Sequence, residues 1–296
     1  MNHPQACFQT KPFTRHFYLL FLLLLAACSG TQPSGHIDKI LERFHDPTSD
    51  YVMVAAHRAA DMGYLENSLS AIKHAIDLGV DIVELDVRSS KDGILVLMHD
   101  GTINRTTNGR GRVEDLTFTE LREFRLKKKD GTLTSERIPG FEEALNMARG
   151  HIMVDIDLKI DHVRPIIETV IKTRTQTQVF YFTDDYDVLK EIRDLDDGSM
   201  CMPIAYSYEM ADSALQLLSP PVLHIDHSFY SPEVTELIRN KHARVWINAL
   251  GDFDEKIHRG DAREVVNTLI MHKANIIQTE EPGKLLLYLR SVGLHD

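Results

Sequence analysis

From Tyr51 almost to the C-terminus, short β-rich runs alternate with amphipathic helical segments, and this alternation leaves few folds open to the chain. The expected strands are Tyr51–Ala56, Ile82–Val87, Ile152–Leu158, Val179–Phe182, Met202–Tyr206, Val222–Ile225, Arg244–Asn248 and Asn275–Gln278. Helical patterns fall between them, among others at Ser68–Leu78, Phe141–Ala148, Val163–Thr173, Tyr186–Leu195, Ser231–Arg239 and Arg263–His272, with a last one at Lys284–Ser291. Unbroken apolar runs such as Tyr51–Ala56 suit strands covered on both faces, as parallel sheets require. Eight strand–helix repeats point to an α/β chain folded as a (β/α)8 TIM barrel, with a doubly wound open sheet as the other architecture of the same pattern.

One stretch departs from the alternation. Lys91-Asp92-Gly93 follows the second strand and leads into another apolar run, Ile94–Met98, which ends at His99-Asp100. An Asp-Gly step between two such runs signals a hairpin. A turn centred near Lys91–Asp92 sets His99 opposite Glu84. Residues 101–140, polar and containing glycine, then form a small insertion before the next helix.

In a barrel the reactive groups sit at the C-terminal ends of the strands and in the loops that follow. Strand one ends in His57-Arg58, with Glu66-Asn67 in its loop; strand two carries Glu84 and Asp86; strand three ends in Asp155, Asp157 and Lys159. Strand six ends in Asp226, and strand seven holds Trp246 and Asn248. Residues two apart share a strand face, so Glu84, Asp86 and one strand-three aspartate converge inside the mouth. Unneutralised, they would repel one another and stay protonated. A divalent cation resolves that conflict, and all-oxygen ligation favours Mg²⁺ or Ca²⁺ over zinc. A lone acid on a strand is more often a surface charge or a loop cap, but Ile82, Val83, Leu85 and Val87 around this pair are core residues in type.

Arg58 and Lys159 add cations beside the same point. They fit an anionic guest such as phosphate, or each simply neutralises a neighbouring acid. His57 and His99 are the candidate proton-transfer pair, since an imidazole gives or takes a proton near neutral pH. Single strand-end histidines are usually structural; two beside a carboxylate cluster favour catalysis, with His224 and His227 as competitors. Glu66, Asn67, Trp246 and Asn248 are candidate substrate-pocket residues.

The ordered series His57-Arg58, Glu66-Asn67-Ser68, Glu84-Leu85-Asp86-Val87, Lys91-Asp92-Gly93 and His99-Asp100 resembles the signature of the glycerophosphodiester phosphodiesterase family. Arg105-Thr106-Thr107-Asn108-Gly109, Ile138-Pro139 and Thr279-Glu280-Glu281-Pro282 resemble further family features, so the likeness spans roughly residues 51–290. It implies a TIM barrel that hydrolyses glycerophosphodiesters to glycerol 3-phosphate and an alcohol. His57 and His99 then match the family's acid and base, Glu84, Asp86 and Asp157 its ligands for one divalent metal ion, Ca²⁺ or Mg²⁺, and Arg58 and Lys159 its phosphate-binding cations. The chain departs from the pattern at Ala59 (usually glycine), Leu65 (often proline), Ser68 (threonine), Asp157 (usually glutamate) and Glu280 (commonly aspartate). Three rivals stay open at this point. They are a phospholipase D-like or phosphoinositide-cleaving enzyme using an apolar rim at Leu116, Phe118, Leu121, Phe124 and Leu126, a glycoside hydrolase, and a non-catalytic phosphodiester-binding lipoprotein.

Before the barrel, Lys11, Arg15 and His16 precede an apolar run, Phe17–Leu25, that is too short to cross a bilayer as a helix. It fits a secretory signal peptide over residues 1–27. Leu25-Ala26-Ala27-Cys28 resembles a bacterial lipobox, which implies acylation of Cys28, export, and anchoring to a bacterial membrane, the outer one by the general sorting preference for Ser29. Residues 28–50 are then expected as tether and lead-in, and 51–296 as the barrel domain. Of the three cysteines, Cys7 falls in the signal and Cys28 carries the lipid, so Cys201 has no disulfide partner. A net charge of −11 argues against nucleic acid as a partner. The one dense basic stretch, Lys127-Lys128-Lys129, is of a kind more often found as a solvated loop.

Overall fold

The computed structural model describes Met1 and residues 35–296, apart from Met62. The expected signal segment and Cys28 lie outside the described residues, and no described helix is long and apolar enough to cross a membrane.

Eight parallel strands close into a barrel. In chain order they are Met53–Ala56, Ile82–Ser89, Met153–Leu158, Val179–Thr183, Met200–Ala205, Val222–Ile225, Arg244–Asn248 and Ile276–Thr279, referred to below as barrel strands one to eight. Strand one pairs with strand eight on one side, Met53 level with Ile276, and with strand two on the other, Ala55 level with Ile82, which closes the ring. Outward residues such as Val54, Val83, Val154 and Ile277 pack against the surrounding helices in the main core. Helices at Asp252–Arg259 and Tyr208–Leu218 complete the outer layer.

The lead-in is more ordered than a tether. Residues His36–Phe44 form a helix, and its Ile40 and Phe44 pack among Met53, Ile82, Met153, Phe180, Trp246 and Ile276, the inward residues at the N-terminal ends of the strands. Phe44 stacks on Phe180 with ring centroids 5.6 Å apart. The helix end is held by Arg244, a fully buried guanidinium that donates to the carbonyls of Arg43, Phe44, Asp46, Tyr51 and Asn275. A cation on the last carbonyls of a helix satisfies orphan acceptors and complements the helix dipole. This helix covers the N-terminal end of the barrel, opposite the C-terminal mouth where the strand-end acids lie.

At that mouth the expected return strand is present as Leu95–Leu97, antiparallel to barrel strand two. Its register differs from expectation by one residue. Val87 faces Leu97, the Ser90 N–H donates to the Ile94 carbonyl and the Ile94 N–H to Ser90 Oγ, so the turn comprises Lys91, Asp92 and Gly93, not two residues. Gly93 takes φ +79°, the left-handed position that such three-residue turns place on glycine. Continuing the register sets His99 level with Leu85, not Glu84. The insertion adds a helical turn, Phe118–Leu121, and a small hairpin, Arg125–Lys127 with Leu133–Arg137. Leu116, Phe118, Leu121, Phe124 and Leu126 form a compact core with Leu65, Val96, Met98 and Ile138. Leu121 and Leu126 are buried in it, and Leu116, Phe118 and Phe124 are packed against it and partly buried.

Candidate active site

The strand face predicted from two-residue spacing carries the acids to one place. Glu84 is level with Asp155 and Asp86 with Asp157 across barrel strands two and three. Ligand oxygens of Glu84, Asp86 and Asp157 lie within 4.8 Å of one another, and Glu84 and Asp86 are buried. Burial above all, then the neighbouring carboxylates Asp86, Asp157 and Asp155, pushes Glu84 well above the usual carboxylate range, against the pull of the Arg58 backbone N–H. Asp157 is raised by its burial, while Lys159 and, more weakly, His99 oppose the rise. Asp155, one layer deeper, is also raised by burial and by Asp157 and Asp86, and its Oδ1 has no hydrogen-bond partner among the described residues.

A buried Glu84 Oε1 with no partner, facing two further carboxylates, is what a hard divalent cation would complete. The donor set therefore fits such an ion, and Glu84, Asp86 and Asp157 are the residues that would hold it.

Each ligand is positioned by a neighbour. Glu84 Oε2 takes the Arg58 N–H at 2.7 Å. Asn67, buried in the loop after strand one, donates Nδ2 to Asp86 Oδ2 at 2.7 Å and accepts the Asp86 N–H at 3.1 Å. Lys159 Nζ stands 2.6 Å from Asp157 and 3.3 Å from Asp86. Arg58, Ala59 and Asn67 all have φ near +53°. Left-handed backbone costs an alanine roughly 1 kcal/mol or more that glycine avoids. Ala59 therefore marks a strained turn whose effect is to aim the Arg58 amide at Glu84.

The two histidines share one design. His57 Nδ1 lies 3.3 Å from Glu280 Oε1, and its Nε2 faces Glu84 Oε2 at 3.8 Å. His99 Nδ1 lies 2.8 Å from Asp100 Oδ1. A carboxylate only accepts hydrogen bonds, so in each ring Nδ1 carries the hydrogen and Nε2 is left to exchange a proton. Glu280 is held down to about 2, by its bond to His57 first. Arg105 first, and then His99, hold Asp100 below the usual carboxylate range. Arg105 grips both Asp100 and Glu66, Glu66 meets Arg58 at 3.2 Å, and Arg58 Nε lies 3.6 Å from Asp86. An unbroken charged chain thus runs from His99 to Asp86. Arg88 ties the hairpin to it from below, donating to the carbonyls of His99 and Lys159.

Not every expected residue reaches the site. Trp246 is fully buried in the floor layer, its Nε1–H donating to Asn248 Oδ1. It shares the inward face of strand seven with Asn248 and lies one layer deeper, level with His224. Asn248 itself lines a cavity of about 130 Å³ with His57, Glu84, Asp157 and His224. His224 is buried there with Nδ1 unpartnered, and desolvation lowers it to about 3, which leaves it neutral and no proton donor. His227 is exposed, its Nε2 bonded to the Asn248 carbonyl at 2.6 Å. Asp226 caps a short turn through the Ser228 N–H. From the sequence, Asp155 stood beside Asp157 as one of two strand-three candidates, and Asp100, Arg105 and Glu280 appeared only as members of motifs with no role assigned. Arg88 was not singled out, and its only signal was adjacency to the strand-two motif.

With this geometry in view, the family comparison is decisive. The model of the glycerophosphoryl diester phosphodiesterase family matches residues 57–250, which include every residue of the acid cluster and both histidines. The chain belongs to this family. It is 40% identical over 109 residues to a glycerophosphodiester phosphodiesterase of Caldanaerobacter subterraneus subsp. tengcongensis, covering 36% of this chain and 45% of that one. It is 39% identical over 147 residues to glycerophosphodiester phosphodiesterase 1 of Rattus norvegicus, covering 47% and 42%. The chain thus spans about half the length of the curated relatives it matches. Among solved structures, a glycerophosphoryl diester phosphodiesterase from Parabacteroides distasonis superposes with a TM-score of 0.76 at 25% identity, over 86% of this chain and 92% of that one. An Oleispira antarctica phosphodiesterase, solved with its product sn-glycerol-3-phosphate, shares the fold at a TM-score of 0.68 and 22% identity, over 82% and 99%.

Proposed function

We propose that this protein hydrolyses glycerophosphodiesters to glycerol 3-phosphate and an alcohol, with His57 and His99 as the proton-transfer pair. The observation that carries the proposal is the pairing of two carboxylate-anchored histidines with three convergent acids, two of them buried. Family membership supports the substrate class, and the Oleispira neighbour is bound to the product expected here.

One histidine takes the proton of the nucleophile, either water or a neighbouring substrate hydroxyl, as its oxygen bonds to phosphorus. The other gives a proton to the alkoxide as the old P–O bond breaks. Each such group contributes about 10²–10⁴-fold. Glu280 and Asp100 hold the two rings in place through Nδ1. Arg58 and Lys159, already flanking the acids, provide cations for the phosphoryl oxygens. A divalent cation at Glu84, Asp86 and Asp157, when bound, supplies Lewis acidity toward the phosphoryl group.

The test is release of glycerol 3-phosphate from a panel of glycerophosphodiesters with Ca²⁺, Mg²⁺ or EDTA, beside His57→Ala and His99→Ala. Metal-dependent release that both substitutions reduce by at least about 100-fold is expected. Full activity in EDTA, or turnover of intact phospholipid alone, would overturn the proposal. The sequence-based expectation of export and acylation at Cys28 is carried forward as part of it. Incorporation of labelled palmitate that survives Cys28→Ala would refute that part.

A further inference from the structure

Lys127, Lys128 and Lys129 are the one dense run of like charge in a chain of net charge −11, and the mechanism above does not use them. All three stand on the rim of a groove of about 630 Å³ between the loop after barrel strand one and the insertion hairpin. Its floor is apolar, formed by Tyr64, Leu65 and Leu126. Two further lining residues, Arg58 and Glu280, belong to the catalytic site. Glu280 is the hinge between the two spaces. One of its oxygens lies 3.3 Å from His57 Nδ1 and the other 3.6 Å from Lys129 Nζ. A single carboxylate therefore separates the lysine rim from a histidine that exchanges protons with the reacting ester.

The groove's acids are mostly committed elsewhere. Asp61 is bound to His74, Glu66 to Arg58 and Arg105, and Glu281 to His258 and Lys284. The Asp130 carboxylate turns back to the Thr132 N–H of its own hairpin. Among the described residues no carboxylate lies within 4.0 Å of Lys127 or Lys128. Lys127 Nζ is held in place by the Asn104 carbonyl at 2.9 Å. Lys127 and Lys128 thus carry cationic charge with no carboxylate within 4.0 Å among the described residues, while Lys129 faces Glu280 at 3.6 Å, in a groove that Arg58 and Glu280 join to the proposed catalytic site.

We infer that this groove is the subsite for the leaving alcohol, and that Lys127, Lys128 and Lys129 select alcohols bearing an anionic group of their own, such as a second phosphate. The inference rests on the proposed hydrolysis and specifies which half of the diester enters the groove. Lysines bind phosphate as point charges that need no fixed angle, so the rim tolerates variety in the alcohol while favouring its charge.

The full-length chain is assayed at low ionic strength for release of glycerol 3-phosphate from glycerophosphoinositol, from glycerophosphoinositol carrying a phosphate on the ring, and from glycerophosphocholine. The expected result is a higher kcat/KM for the ring-phosphorylated substrate. The ratio of charged to neutral should fall by about threefold per lysine in Lys127→Gln, Lys128→Gln and Lys129→Gln, and shrink as salt is added, as exposed charge pairs do. Lys→Arg at the same positions should keep the ratio, which separates charge from loss of the fold. Equal kcat/KM for inositol and inositol phosphate, or a ratio that survives the triple glutamine variant, would overturn the inference while leaving the hydrolysis intact. Release from none of the three would instead overturn the proposed reaction, and the inference with it.

Discussion

Asn67 and Asp86 are joined twice, side chain to side chain at 2.7 Å and side chain to backbone at 3.1 Å. The pair links the loop after barrel strand one to the strand-two acid and fixes which oxygen of Asp86 is left for a cation. Asn67 was expected in a substrate pocket; the structure buries it beside Asp86, where its two bonds suit a positioning role.

Asn67→Asp tests that role, because aspartate also tolerates the left-handed backbone at this position. The donor to Asp86 is lost and a fourth carboxylate is added to the cluster. Affinity for Ca²⁺ or Mg²⁺, measured by titration calorimetry, should fall about 10- to 100-fold, as it does when an outer partner of a metal ligand is removed. An unchanged Kd would show that Asn67 supports the loop alone.

Asp254 gives a prediction on pH. Its carboxyl accepts from Thr279 and from the Glu280 N–H, and so braces the turn that presents Glu280 to His57. Burial raises it to about 6, with the bonds from Thr279 and Glu280 N–H opposing. A folded-state value above the unfolded one contributes stability that is complete below the unfolded pKa and lost as pH rises through the folded one. Unfolding free energy should therefore drop between about pH 4 and pH 7 by roughly 3 kcal/mol more in the wild type than in Asp254→Asn. Parallel pH–stability curves from denaturant titrations would contradict this.

The floor plug can be tested by truncation within the core. Phe44 is buried against Phe180 at the closed end of the barrel. Phe44→Ala should cost about 3–5 kcal/mol in chemical denaturation. A loss under about 1 kcal/mol would mean that the lead-in helix is not part of the barrel's cooperative core.

How much of this was legible beforehand depends on the kind of information each feature needs. Strand periodicity is local: side chains two apart share a face whatever the rest of the chain does. That is why the eight strands, the shared face of Glu84 and Asp86, and the alignment of the strand-three acids with them were readable from spacing. The same rule could not say how deep a residue sits. Trp246 and Asn248 share a face, yet barrel closure and the plug helix put Trp246 in the floor layer. Nor could it fix the hairpin register, because one extra turn residue, allowed by Gly93, slides His99 from Glu84 to Leu85.

The sequence by itself determined the barrel, the identity of the acids and histidines, and the family resemblance, since each is written in order and spacing along one chain. Only the tertiary structure decided which partners anchor those groups. Glu280 reaches His57 across 223 positions, Arg105 reaches Glu66 across 39, and Lys129 meets Glu280 at the mouth of a groove. Such contacts join residues distant in sequence that the closed ring brings within a few ångströms, and no local pattern encodes them.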